Sequence, residues 1–408
     1  MSKKRRPHVL IFAETFFPTM GGSERVAHNL ALGLVEAGWH VTLFAPAMPG
    51  SAHFDRAQPY RIHRSRAWSL SRRIDAKARK PVARAARYSG ILAAAVWMLL
   101  HRKDAVVSAH LTPFSIPAVL LRTLWRGPVL VWTHGEDLTV GARSPIISRQ
   151  IRACLRASSR VVSNCRTTAR RVREFGVAKE RIVIQYPCPD ASFFAPLGND
   201  RAALRKHEGV GDGSTLLLAT VTRLVERKGI DTVLRALAAA LQTLKDSGQT
   251  PPHWRYLVGG TGEYLPRLRR LSAELGLAGN VAFIGALSEP EKRNLIEAAD
   301  LFPMPNREMP NGEIEGFGIV FLEAALRGTP CIAGRSGGAP EAVEEGVSGW
   351  VIDSHDHAAL AELLVALFRD PAPLAAMRAS AREWAVTRFT ASLHQEPVRA
   401  ALEKLMGR

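Results

Sequence analysis

The sequence predicts an α/β protein made of two doubly wound, Rossmann-like parallel-sheet domains. Strand-like apolar runs alternate with helical segments along nearly the whole chain. At 408 residues it is longer than one core usually organises, and 47% hydrophobic residues are enough to build two. The alternation breaks at a proline-rich stretch of little periodicity, Tyr186-Pro187-Cys188-Pro189-Asp190 through Phe194-Ala195-Pro196-Leu197-Gly198-Asn199, which reads as the linker. The domains are expected at residues 1–190 and 200–380, with 381–408 as a last helix crossing back onto the first. A ligand cleft is expected between them, where the carboxyl ends of the strands face each other.

His8-Val9-Leu10-Ile11-Phe12-Ala13 is a short apolar run of the buried-strand kind, and a loop bearing Pro18, Gly21 and Gly22 follows it. Ser23 is placed to cap a helix whose apolar positions Val26, Leu30 and Leu34 recur every four residues until Gly38 stops it. A strand at 41–45 completes a βαβ unit, and further strands are expected at 105–109, 129–133, 160–164 and 181–185. The second half repeats the pattern with strands at 216–221, 254–258 and 281–284 and helices at 231–244 and 263–275. Ser288-Glu289-Pro290-Glu291 has the capping-box pattern and opens a helix to Ala299. The segment from Phe389 to Met406 reads as the final helix.

A formal charge of +18 and a pI near 10.5 admit nucleic acid, an anionic membrane surface or a phosphorylated small ligand as partner. Nucleic acid is disfavoured, because aromatic residues make up 7% of the chain and the basic stretch from Arg61 to Arg87 is nearly free of them. That stretch, with the apolar run from Tyr88 to Leu100, has two readings. One is an amphipathic surface resting on anionic lipid; the other is a solvated helix face leading into a buried helix. The apolar part is well short of the ~20 residues a spanning helix needs. The basic start, Met1 to Arg6, lacks the apolar core of a signal peptide. Cys154, Cys165, Cys188 and Cys331 have neither disulfide nor zinc spacing. A reducing cytoplasm fits, with the inner face of the cell membrane as a candidate surface.

Three stretches carry chemistry. Gly21-Gly22, between a strand and a helix, lets backbone amides approach a phosphate, although such a turn is also ordinary geometry; it is not a G-x-G-x-x-G fingerprint, which disfavours a nicotinamide enzyme. Thr222-Arg223-Leu224-Val225-Glu226-Arg227-Lys228-Gly229 sets Arg223 and Lys228 in a loop after the second domain's first strand, where an anion such as a diphosphate would reconcile two cations. In NGEIEGFGIVFLEAALRGTPCIAG, Asn311 to Gly334, Gly316 and Gly318 precede a helix whose first amides, at Gly318, Ile319 and Val320, are suited to phosphate. The flanking Glu315 and Glu323 would repel a phosphate and are instead assigned to vicinal hydroxyls, one set on a sugar and one on a ribose.

The stretch Glu315-Gly316-Phe317-Gly318-Ile319-Val320-Phe321-Leu322-Glu323-Ala324 resembles the E-x7-E motif of the family 4 retaining glycosyltransferases, which have the two-Rossmann glycosyltransferase-B fold. Arg223-Leu224-Val225 with Lys228-Gly229, Gly259-Gly260-Thr261-Gly262, Ser336-Gly337-Gly338-Ala339-Pro340-Glu341 and Gly21-Gly22 stand in the family's order across nearly the whole chain. Glu313 to Gly318 and Ala333 to Glu341 are particularly similar to the mannosyltransferases that act on phosphatidylinositol mannosides with GDP-mannose. The resemblance implies that Arg223 and Lys228 bind the donor diphosphate, with Gly21, Gly22 and Gly260 beside it. It implies further that Glu323 holds the ribose, Glu315 and His134 contact the donor sugar, Gly285 to Leu287 frame the base, and Phe317 to Val320 line the site. One departure is Tyr186-Pro187-Cys188-Pro189-Asp190 in place of the family's Pro-Asn-Gly-Val-Asp.

The implied reaction moves a hexosyl group, mannose from GDP-mannose in the first instance, to a lipid-linked or glycan acceptor in cell-envelope or polysaccharide synthesis. No cofactor and no metal are expected, since the basic loop does the work of a divalent ion. A UDP-glucose or UDP-N-acetylglucosamine donor with a soluble acceptor is the alternative within transferases. A non-catalytic membrane- or nucleic-acid-binding protein is the alternative outside enzymes, and an epimerase or phosphorylase lacks its diagnostic residues here.

Overall fold

The computed structural model describes residues 5–18, 21–66, 92–111, 125–139, 144–198, 201–207, 210 and 215–407. They form two compact units, one comprising Met1–Cys188 and Ala391–Arg408, the other Pro189–Thr390.

The first unit is a parallel sheet of seven strands: β1 (His8–Phe12), β2 (His40–Pro46), β3 (Arg61–Ser65), β4 (Ala105–Ser108), β5 (Val129–Thr133), β6 (Arg160–Ser163) and β7 (Ile182–Ile184). Their order is β3-β2-β1-β4-β5-β6-β7, so the winding reverses between β1 and β4. Central strands read as apolar runs because both faces are covered: Val9 and Ile11 pack on one side, Leu10 and Phe12 on the other. The helix Gly22–Glu36 lays Val26, Leu30 and Leu34 on the first face. Gly21, not Ser23, is its N-cap, and the Ser23 hydroxyl donates instead to Glu24 at 3.0 Å. The helix Ala391–Leu405 belongs to this unit, with Val398 and Leu402 fully buried in the same cluster. The Gln395 amide donates to the Asn29 carbonyl at 2.9 Å.

Part of the basic stretch departs from both expectations for it. Arg61 and Arg64 lie in the edge strand β3, and Arg64 is consumed internally. Its guanidinium grips Asp55 at 3.0 and 2.6 Å and donates to the Phe17 carbonyl at 2.7 Å. The short sequence Arg-Ile-His-Arg-Ser has one apolar residue, so it gave no strand signal. Residues 67–91 lie outside the described residues. The apolar run reappears as a helix over 92–100 that is neither solvated nor buried throughout. Ala94 and Met98 enter the core, whereas Leu92, Val96, Leu99 and Leu100 are exposed by 64, 46, 43 and 78%. These four recur at helical spacing and share one face.

The second unit holds β8 (Leu216–Val221), β9 (Trp254–Gly259), β10 (Val281–Gly285), β11 (Phe302–Met304), β12 (Cys331–Gly334) and β13 (Gly349–Ile352). They form two parallel sheets, β10-β9-β8 and β11-β12-β13, joined by a parallel bridge between Leu218 and Leu301. The Ala219 amide donates to Leu301 O at 3.0 Å and the Asp300 amide to Leu217 O at 2.8 Å. The combined order is that of a Rossmann fold, with its reversal between β8 and β11. The helix Glu289–Ala298 opens with the expected capping box, Ser288 and Glu291 bonding each other's backbone amides. Its far end is closed by arginines. Arg327 pairs with buried Glu297, and Arg201 and Arg378 donate to the last carbonyls.

Truncating Leu402 to Ala removes a fully buried side chain and should lower unfolding free energy by about 2–5 kcal/mol. Leu100→Ala, on the exposed face, should shift it by less than about 0.5 kcal/mol. Denaturant unfolding of both variants checks this.

Candidate active site

The loop leaving β8 tightens into a 3-10 turn, Glu226–Lys228, and is released by Gly229 at φ +71°. The turn carries Arg227 and Lys228 inward together, leaving 7 and 8% of each exposed. Both meet one acceptor: Glu315 Oε2 accepts from Arg227 Nη1 at 3.0 Å and from Lys228 Nζ at 2.5 Å. The sequence pointed to Arg223 and Lys228 as the cation pair. The structure instead ties Lys228 and its neighbour Arg227 to a carboxylate within the chain, while Arg223 stays exposed. Spacing alone hid Arg227, because its partner Glu315 lies 88 residues further along the chain and meets it only through tertiary packing.

The loop carrying Glu315 is fixed from behind. Gly338 N–H donates to the Glu315 carbonyl at 3.0 Å, and at Gly337, φ +57°, a Cβ would fall 1.8 Å from that same oxygen. Only glycine admits that approach. Burial alone would push the Glu315 carboxyl up, but Lys228 and Arg227 outweigh it and hold it below the ordinary carboxylate range. Burial, helped by the charges of Arg227 and Arg223, lowers Lys228 below the usual lysine value against the pull of Glu315.

Gly318, at φ +87°, caps the helix Ile319–Leu326, and a Cβ there would meet the Phe321 ring at 2.5 Å. The first amides of a helix have no partner within it, so those of Ile319 and Val320 are open to an anion. Phe317, expected to line the site, is turned inward: it is 2% exposed and its ring lies 6.3 Å from that of Phe389. An aromatic between two glycines is as well suited to anchoring a turn in the core as to facing a ligand.

Glu323, one turn into the same helix, is also charge-paired. Its Oε1 accepts from Lys292 Nζ at 3.0 Å, and Lys292 reaches Glu289 as well, at 3.2 Å. Each carboxylate of the motif thus has its own lysine, Lys228 for Glu315 and Lys292 for Glu323. Nothing in the sequence marked Lys292, because its role arises only when two helices distant in sequence pack. At the ends of β9 and β10, Gly260 N–H donates to Gly285 O at 2.5 Å, and Leu287 lies over Gly259.

In the first unit His134 follows β5, and its Nε2 bonds the Ala109 carbonyl at 2.7 Å. Its backbone amide donates to Asp137 at 3.2 Å, and Asn164 donates to its carbonyl at 3.1 Å. Burial raises Asp137 above the usual carboxyl value, opposed by the charge of His134 and by backbone amides. Gly21 and Gly22 stand exposed at a helix N-terminus, with the Glu24 carboxylate against Gly21. Among the described residues no group of three or more His, Cys, Asp or Glu side chains is placed to hold a metal ion.

Glu315→Gln leaves two buried cations without a counter-charge and should cost about 3–5 kcal/mol of stability. The depressed carboxyl contributes stability that is full above its unfolded value and is lost as pH falls through the folded one. Acid unfolding below about pH 5 should therefore be less steep in Glu315→Gln than in the native chain, read by fluorescence across a pH series.

Two family descriptions match the chain, "Glycosyltransferase Family 4" over residues 20–193 and "Glycosyl transferases group 1" over residues 200–384. A GDP-mannose-dependent alpha-(1-6)-phosphatidylinositol monomannoside mannosyltransferase of Mycobacterium tuberculosis is 31% identical over 392 residues, covering 93% of this chain and 94% of that protein. A Corynebacterium glutamicum GDP-mannose-dependent mannosyltransferase for the monoacylated phosphatidylinositol monomannoside is 38% identical over 219 residues, 51% of this chain and 55% of that one. Among solved structures, Anabaena HepE in complex with UDP-glucose has a TM-score of 0.76 at 20% identity, covering 98% of this chain and all of that one. Sucrose-phosphate synthase from Thermosynechococcus elongatus has a TM-score of 0.77 at 19% identity, covering 99% and 100%. The structural likeness gives the fold, and the sequence matches over the full length give the family. The chain belongs to the family 4 glycosyltransferases and is a hexosyl-transferring enzyme of glycosyltransferase-B architecture.

Proposed function

We propose that this enzyme transfers mannose from GDP-mannose, with retention, to a hydroxyl of a lipid-linked acceptor in cell-envelope synthesis. The full-length likeness to the mycobacterial mannosyltransferase carries the reading. In it, the departing nucleoside diphosphate builds negative charge that Arg223, Lys228 and the amides of Ile319 and Val320 stabilise from fixed positions. Lys228 gives one of its three N–H groups to Glu315 and keeps two for phosphate. Glu315 contacts the sugar, Glu323 takes the ribose, and the Gly260, Gly285 and Leu287 cluster frames the base. His134 and the Gly21–Gly22 turn are the first unit's donor contacts. The acceptor hydroxyl attacks on the face the leaving group departs from and passes its proton to the leaving phosphate, without a metal.

An anionic membrane surface completes the reading. Among the described residues no helix is long and apolar enough to cross a membrane. The exposed stripe Leu92, Val96, Leu99 and Leu100, followed by exposed Arg102, suits partial burial at a lipid interface.

Purified enzyme given GDP-mannose, UDP-glucose or UDP-N-acetylglucosamine with a phosphatidylinositol mannoside, in chelator, should turn over only the first, and proton NMR should show an α-mannoside. Turnover confined to a UDP-sugar, or an inverted product, would refute the assignment. Lys228→Ala should lower kcat/KM about 10²–10³-fold. Replacing Leu92, Val96 and Leu100 by Ser should weaken cosedimentation with phosphatidylglycerol vesicles while leaving donor hydrolysis unchanged.

A further inference from the structure

We propose that Lys292 is a positioning residue for Glu323, and that through it the enzyme distinguishes a ribonucleotide donor from its deoxy counterpart. The inference rests on the reading that Glu323 holds the ribose.

Lys292 is the fourth residue of the helix Glu289–Ala298. A cation in the first turn opposes the positive end of the helix dipole, so its place there needs other compensation. Two carboxylates supply it, Glu289 from its own helix and Glu323 from the helix Ile319–Leu326, and the Phe193 ring lies 5.0 Å from the ammonium. The ammonium is held on three sides, and 14% of the side chain is exposed.

Glu323 gains more from the pairing than Lys292 does. Its side chain is 5% exposed, and a carboxylate so buried needs a charged partner. Lys292 holds Oε1, and among the described residues Oε2 accepts no hydrogen bond. One oxygen is pinned and the other is left as an acceptor of fixed direction. A hydroxyl bonded to such a charged, preoriented acceptor contributes more than one bonded to a carboxylate that can swing. Lys292 need not touch the donor to set that contribution.

Glu289 separates this role from general packing. It pairs with the same ammonium but not with Glu323, so its loss leaves the Lys292–Glu323 contact intact. The experiment is calorimetric titration of GDP, 2′-deoxy-GDP and 3′-deoxy-GDP, or the UDP series if UDP binds more tightly. The proteins are native enzyme, Lys292→Met, Lys292→Gln, Lys292→Arg, Glu289→Gln and Glu323→Gln, each with a melting curve. Native enzyme, Lys292→Arg and Glu289→Gln should prefer the ribonucleotide over one deoxy analogue by about tenfold. Glu323→Gln and the two neutral Lys292 variants should lose that preference to within about twofold while still binding the nucleotide. A folded neutral variant, Met or Gln, that keeps the native ratio overturns the role of Lys292. A native ratio in Glu323→Gln overturns the ribose assignment itself, and the inference with it.

Discussion

Everything at the carboxyl edge of the second unit depends on how a buried carboxylate is neutralised. Glu315 is held by Arg227 and Lys228 at once, and a charge cluster this far from water is tolerated only when geometry and hydrogen bonds are both supplied. The requirement propagates outward. The turn Glu226–Lys228 must deliver two consecutive cations, Gly229 must end it, and Gly337 must let a second loop press on the Glu315 backbone. The helix Ile319–Leu326 begins four residues beyond Glu315, so the same constraint sets where its open amides stand. What looked like two bare acids are two acids each paired with a lysine, while Arg223 stays exposed.

Much of this was legible in the sequence, and the parts that were not share a cause. Buried strands such as β1, β5 and β8 announced themselves because both faces are apolar, and the box at Ser288 announced its helix because capping is local chemistry. The glutamate pair and its glycines were visible as a spacing. Invisible were contacts made by packing: Arg227 turned to Glu315, Lys292 reaching across to Glu323, and Phe317 taken into the interior. Strand β3 was missed because an edge strand with polar alternation carries little hydrophobic signal. Arg64 shows why a count of basic residues overstates a basic surface, since its charge is already bound to Asp55.

The large formal charge is therefore unevenly available. Arg201, Arg205 and Arg327 are committed to Asp300, Glu297 and the carbonyls around them, where they close a helix end. Burial lowers Arg378 in the same cluster to about 10. Arginines used in this way stiffen the unit beneath the site and add little to any long-range attraction for anions.

The first unit is discontinuous in sequence: its sheet is complete by Ile184, yet Val398 and Leu402 of its core lie in the helix Ala391–Leu405. During synthesis the chain emerges amino end first, so the second unit is made in full before the first receives its last layer. Until then the apolar surface around Val9, Leu30 and Trp132 lacks its cover. The order of translation thus runs against the order of completion, and the earlier-made half of the molecule is the one that must wait.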